Sequence, residues 1–304
     1  MRITSNMQTN ASLQAINDQE EQITTLSQEL SSGLKLNSAS DDPSAWAQSM
    51  NITQSMREYD SCISGISFAT GWGDQTESTL SSLSDLVTQA KSLAIQAASS
   101  TTDTEKASLY SEVNSVLAEV KSLANTQYNG QYIFAGTSTS TSPYSIDSSG
   151  NVTYSGNSEY LNVKTSTSTS ADGGSTAVNL TGTDVFTYTS DGTTTNILSE
   201  IYSLGQAIES GDSTTISAKI TTLSDASDHV NNELTVIGDK LTSLSDQSSA
   251  ISVINTNSTS TLSSLQDVDT ALATTQLTQA ETAFTAALKV TATLGSLNLA
   301  SYLT

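Results

Sequence analysis

Ile52, Tyr59, Ile66, Leu80, Val87 and Ala94 stand at multiples of seven residues from one another. A hydrophobic repeat of seven returns to the same side of a helix every two turns, so a chain that keeps it this long is committed to long helices packed along one another. Gly71 and Gly73 open a gap in the stripe, but the register on either side is shared. One helix from Ser44 to Ser99 is therefore expected, on the order of 80 Å long. The stripe's polar start, "SASDDPSAWAQSM", explains itself in these terms. Asp42 caps the first free amides, and Pro43 sits at the first helical position, where a missing N–H costs nothing. Asp41 and Asp42 are read as helix punctuation, since no further carboxylates follow at calcium-loop spacing.

The same logic covers both ends of the chain. Leu13, Ile16, Ile23, Leu26, Leu30 and Leu34 form an amphipathic helix that ends near Gly33. Leu109, Val113, Val116, Leu117, Val120 and Leu123 mark another, with Thr104 or Asp103 as its cap and a stop at Asn129 and Gly130. "NILSEIYSLGQAIESG" is a short helix closing at Gly211, and a longer one starts behind Asp212 and Ser213. On the latter, Ile237, Leu244, Ile251, Leu265 and Leu272 share one sevenfold register, with Leu234, Leu241 and Leu262 beside them. Asn255, Ser258 and Asp269 interrupt it. The last stripe, Leu277, Phe284, Leu288, Leu294 and Leu297, is shifted in phase by one residue.

Residues 137–195 differ in kind. They are rich in Ser, Thr and Gly, with short alternating segments at Tyr144 and Ile146, Val152 and Tyr154, and Leu161 and Val163. Turns fall at Gly150, at Asp172 with Gly173, and at Asp191 with Gly192. A small inserted β domain is expected, and "TSTSTSADGGST" reads either as part of it or as a disordered linker. The fold class is mainly α with a small β insert: a long-helix bundle built from both chain ends, carrying terminal coiled-coil helices. The expected domains are a terminal assembly domain at 1–43 and 273–304, a helix bundle at 44–136 and 196–272, and the insert at 137–195.

Composition then removes whole classes of function. Ten basic residues against 31 acidic ones leave a net charge of -21, which repels a nucleic-acid backbone and gives little purchase on an anionic membrane. No stretch reaches the roughly 18 to 20 apolar residues of a membrane span, and the first twenty residues lack a secretory apolar run. A lone histidine, His229, and a lone cysteine, Cys62, leave no zinc ligand set and no nucleophile–base pair. His229 reads as a solvated surface residue, and Cys62 as a small helix residue. The acidic residues are scattered over exposed helical positions, away from aromatic platforms for a sugar. No catalytic, cofactor or metal site is expected, and no enzyme. What remains is assembly, with a monomeric helical bundle as the plainer alternative: two terminal helices that can bury their stripes only against each other and against further copies. The expected self-assembly surface is Leu13, Ile16, Ile23, Leu26 and Leu30 with Leu277, Phe284, Leu288, Leu294 and Leu297.

Several segments carry a family likeness. "MRITSNM", "LSSGLKLNSASDDPSAWAQSM", "LAIQAAS", "NGQYIFAGT", "GNVTYSG", "VNNELTVIGDKLTSL" and "SLNLASYLT" resemble the flagellin superfamily, and within it the branch of hook–filament junction proteins. The resemblance implies a structural subunit of the bacterial flagellum, secreted through the flagellar type III export apparatus, with a filament-forming flagellin as the alternative. It implies paired terminal helices in an inner tube, a surrounding bundle and an outer β domain. The implied partners are further copies of the chain, the hook-side junction protein (hook-associated protein 1), flagellin, and a flagellar export chaperone taking Leu277, Phe284, Leu288 and Leu294. Trp46 departs from the family pattern, which has a small residue there, and the insert is unusually rich in Ser and Thr.

Overall fold

The computed structural model describes residues 5–100, 102–147, 149–166 and 174–302, with side chains within 7–293. The helices are α1 (Ser5–Ser32), α2 (Pro43–Ser99), α3 (Asp103–Ala124), α4 (Gly182–Phe186), α5 (Ile197–Ser210), α6 (Ser213–Gln266) and α7 (Thr270–Tyr302). Between α3 and α5 lie β1 (Gln127–Tyr128), β2 (Gln131–Tyr132), β3 (Tyr144–Ile146), β4 (Val152–Tyr154), β5 (Asn162–Lys164), β6 (Ser175–Ala177), β7 (Thr187–Ser190) and β8 (Thr193–Asn196). The chain divides into two compact units, residues 1–57 with 254–304, and residues 58–253.

Helix boundaries follow from local chemistry. Asp42 Oδ1 accepts from the amides of Ser44 at 2.9 Å and Ala45 at 3.0 Å, and Pro43 is the first residue of α2. Asn196 caps α5, and Gly211 closes it with a φ of 72°, the left-handed conformation that a glycine adopts without a steric penalty. Asp212 Oδ1 accepts from Thr214 and Thr215 at the head of α6. The cap of α3 is Thr102, which accepts from the Glu105 amide, one or two residues before the positions expected. That helix stops at Ala124 rather than Asn129, because Gln127–Tyr128 is already pairing with Gln131–Tyr132.

In the larger unit the sevenfold registers of α2 and α6 meet. On α6 the buried residues Ile216, Leu223, Val230, Ile237, Leu244 and Ile251 recur every seven. They face Ile66, Leu80, Val87 and Ala94 of α2 in two clusters, the smaller of which also encloses Cys62. The helices run antiparallel: Lys91 Nζ donates to Ser224 Oγ at 2.9 Å and Ser84 Oγ to Asn231 Oδ1 at 3.0 Å. Gly73 occupies the register position that lacked an apolar residue. A Cβ there would lie 2.6 Å from Leu241 Cδ2, so the gap in the stripe is a place for the partner helix to fill.

The strands form four separate antiparallel hairpins. The β7–β8 turn is Asp191–Gly192, with φ of 48° and 75°, the pairing of two left-handed residues that a tight hairpin requires. The hairpins do not surround a core of their own. Phe134, Tyr144, Val185, Phe186 and Tyr188 are buried in the same cluster as α2, α3, α5 and α6, and the Phe134 and Phe186 rings meet edge to face at 5.3 Å. The Asp172–Gly173 turn and most of "TSTSTSADGGST" lie outside the described residues.

Two buried groups depart from the sequence reading. Glu200 is 8% exposed rather than solvated. It bonds Lys219 Nζ at 2.7 Å and the hydroxyls of Thr195 at 2.6 Å and Thr222 at 2.9 Å. Burial alone would raise its pKa, and these donors outweigh that and hold the carboxyl below its ordinary value. His229 is half-buried; its Nε2 lies 2.7 Å from the Asp184 carbonyl oxygen, and its ring stacks on Tyr188.

Candidate assembly surface

The smaller unit holds the residues expected to assemble. Its two terminal helices are tied together where one ends and the other begins. The Gly33 carbonyl accepts from the Val268 amide at 3.0 Å, and the Lys35 amide donates to the Gln266 carbonyl at 2.7 Å. Leu34 and Asp267 form an antiparallel bridge between these bonds. Helix α7 therefore starts beside the end of α1 and runs back along it. The break that permits this falls at 267–269, where Asp269 Oδ1 accepts from Ala271 at 3.1 Å and Leu272 at 3.0 Å and caps α7. It also explains the one-residue phase shift of the last stripe. The register expected to run from α6 through Leu272 ends there, and Leu272 is 55% exposed.

Below the break the seam reads as a heptad on both helices. Apart from Glu29 beside Leu30, the positions shielded on α1 are Ser12, Ile16, Gln19, Ile23, Leu26 and Leu30, and on α7 they are Ala273, Leu277, Ala280, Phe284, Ala287 and Thr291. Each set steps by four and three residues in turn, the spacing of a coiled-coil seam. Leu26, Ala273 and Ala280 are fully buried, with Ile23, Leu30, Val268 and Leu277 packed against them. Alanine against leucine brings two helices close and leaves little apolar area within the pair.

The expected surface residues therefore divide. Ile23, Leu26, Leu30 and Leu277 lie inside the α1–α7 seam. Ile16 and Phe284 are half-buried along it. Leu13 and Leu288 lie off it, 49% and 45% exposed, beside Met7 at 63% and Val290 at 55%. Leu294 and Leu297 fall on α7 beyond the described side chains. Sequence reasoning missed Ala273 and Ala280, whose four–three spacing with Leu277 and Phe284 is the signal that reveals them. It also missed a shallow groove of about 930 Å³ along α7, whose lining includes Ala271, Thr275, Thr278, Ala283 and Ala286.

The connection between α1 and α2 is built from backbone capture. Asp41 Oδ2 accepts from the amides of Asn37 at 2.9 Å and Ser38 at 2.8 Å, and these bonds, that of Ser38 foremost, hold its carboxyl below the usual range. Leu36 is buried, and Trp46, in the first turn of α2, is half-buried. Among the described residues no three His, Cys, Asp or Glu side chains group closely enough to hold a metal ion, and no helix is long and apolar enough to cross a membrane. The arrangement offers helix-to-helix contact.

Residues 3–139 match the bacterial flagellin N-terminal helical region. Flagellar hook-associated protein 3 of Salmonella typhimurium is 29% identical over 146 residues, 47% of this chain and 46% of that protein. The chain thus aligns with about half the length of this curated relative. A flagellar hook-associated protein from Vibrio parahaemolyticus has a solved structure that superposes with a TM-score of 0.66 at 22% identity, over 75% of this chain and 100% of that one. The flagellar junction protein FlgL of Legionella pneumophila superposes at 0.59 with 16% identity, over 72% of this chain and 100% of that one. The mainly α fold with a small β insert is that of these proteins.

Proposed function

We propose that this chain, a relative of flagellar hook-associated protein 3 that carries a flagellin N-terminal helical region, is a structural subunit joining hook to filament in the bacterial flagellum. It acts by helical self-assembly and by contacts to neighbouring axial proteins, and it catalyses no reaction. One observation carries this reading: the first and last helices pair along a narrow alanine–leucine seam and leave Met7, Leu13, Leu288 and Val290 uncovered. Apolar side chains repeated along a helix pair are covered when copies pack side by side, and the gain grows with each copy. The neighbours are further copies, hook-associated protein 1 on the hook side and flagellin on the other. Packed helices that slip by small shifts accommodate two partners of different curvature.

Export precedes assembly in this scheme, through the flagellar type III apparatus with a cytoplasmic chaperone. The chaperone takes α7 through Leu277, Phe284, Leu288 and Leu294. Since Leu277 packs against α1 in the folded chain, the chaperone-bound form has α7 separated from α1. Deleting the gene tests the reading. Loss of a junction subunit releases flagellin into the medium from cells that still build hooks. Hooks without filament and without released flagellin would assign the chain to the filament itself, as a flagellin-type subunit.

A further inference from the structure

The larger unit carries an open groove of about 490 Å³ that assembly through α1 and α7 leaves unused, within the size range of small-molecule sites. Its apolar wall includes Leu180, Tyr160 and Val236, and the last two are 45% and 41% exposed. Its polar wall is Asp184, Glu233, Lys240, His229, Thr183 and Thr187. This places two carboxylates beside an exposed aromatic ring, the combination that the sequence seemed to lack.

The polar groups have bonding capacity to spare. Glu233 accepts no hydrogen bond from any described residue, and Lys240 donates one of its three N–H groups, to the Asn179 carbonyl at 3.1 Å. They share the groove without forming an ion pair. Burial pushes the Glu233 carboxyl up and the Lys240 ammonium down, so each charge has lost water and gained no full partner. Asp184 binds the Thr181 amide and hydroxyl through Oδ2, at 2.9 and 2.8 Å. Its charge also raises the pKa of the nearby Tyr160 hydroxyl.

These features select the ligand's chemistry. An anion would meet two carboxylates. A cation would find Lys240 Nζ already 5.8 Å above the Tyr160 ring, in the position a cation takes over an aromatic face. A neutral ligand bearing both donors and acceptors, with one apolar face, meets every group present. We propose that this groove binds a saccharide. Ring C–H groups lie on Val236 and beside the Tyr160 ring, one face of which Lys240 already covers, and hydroxyls donate to Glu233 while accepting from Lys240.

Saturation-transfer NMR on the full-length monomer, with lactose, cellobiose, chitobiose and maltose as probes, tests this. At least one probe should receive transfer at its ring protons, and Tyr160→Ala and Glu233→Gln should each weaken it about tenfold or more. Glu233→Gln preserves shape, so an unchanged melting temperature keeps its loss of binding distinct from misfolding. Absence of transfer to all four sugars overturns the proposal, as does equal binding by both variants. Binding of an oligo-arginine peptide in place of any sugar, abolished by Glu233→Gln, overturns it in favour of a cationic partner.

Discussion

Replacing Leu26 by Ala would open the α1–α7 seam at its best-covered point. Leu26 is 6% exposed and packs with Ala273, Ala280, Ile23, Leu30, Val268 and Leu277. The change removes three carbon groups, at about 0.8 kcal/mol each when buried. Ala273 and Ala280 are too short to fill the gap, but water can enter a seam only two helices wide, which keeps the cavity contribution small. The expected cost is about 2.5 kcal/mol, which multiplies the open population of this unit roughly 50- to 100-fold. Hydrogen exchange on a verified monomer reads this directly in the α1 amides. Leu13→Ala is the control: at 49% exposure it should change exchange by no more than about twofold. If the Leu26 variant also changes exchange by less than about threefold, α1 is not held by α7 in the monomer and the seam is misassigned.

Converting Leu13 and Leu288 together to Ser should leave the monomer's melting within about 0.5 kcal/mol of the parent yet reduce polymer yield in sedimentation; undiminished assembly would clear both residues from the interface. Because the Glu200 carboxyl lies below its ordinary value of 4.5, its contribution is present above that pH and is lost as pH falls through the folded value. Glu200→Ala, which strands Lys219, should cost about 3 kcal/mol at neutral pH, and acid titration by tryptophan fluorescence should show a flatter acid limb. Gly65→Ala should destabilise by about 1 to 3 kcal/mol in denaturant melts, since its Cβ would meet the Lys164 carbonyl oxygen at 2.6 Å. Gly73→Ala should be milder, because there a flexible side chain, that of Leu241, rather than backbone must yield. Deleting residues 138–194 should broaden the thermal transition, since Tyr144, Phe186 and Tyr188 leave the shared core.

Helices whose signals are local were legible in the sequence. Asp42 before Pro43, and Gly211 closing α5, act within one turn and can be read residue by residue. The register from Ile237 to Ile251 was equally plain, because two long helices facing each other impose one repeat on both. Glu200 was not legible, since its partners Thr195, Lys219 and Thr222 come from three elements and no spacing announces them. His229 was misread for the same reason: its partner is a backbone carbonyl of α4, and backbone atoms leave no mark in a sequence. In the α1–α7 seam, Leu26 and Leu277 are legible by their size. Ala273 and Ala280 were passed over because alanine looks neutral until its neighbour's spacing is known. The shared core of hairpins and helices was hidden by the Ser and Thr that dominate the insert and mask its few aromatics.

The tie between the end of α1 and the start of α7 has a consequence in time. All of the larger unit lies between them in sequence, so the seam joins the most distant parts of the described chain. Such contacts close late, because the intervening loop must be ordered or spanned first. On a ribosome, α1 waits with its stripe unmatched until α7 has emerged. An unfinished chain therefore cannot present the completed two-helix surface, which exists only once synthesis has passed α7.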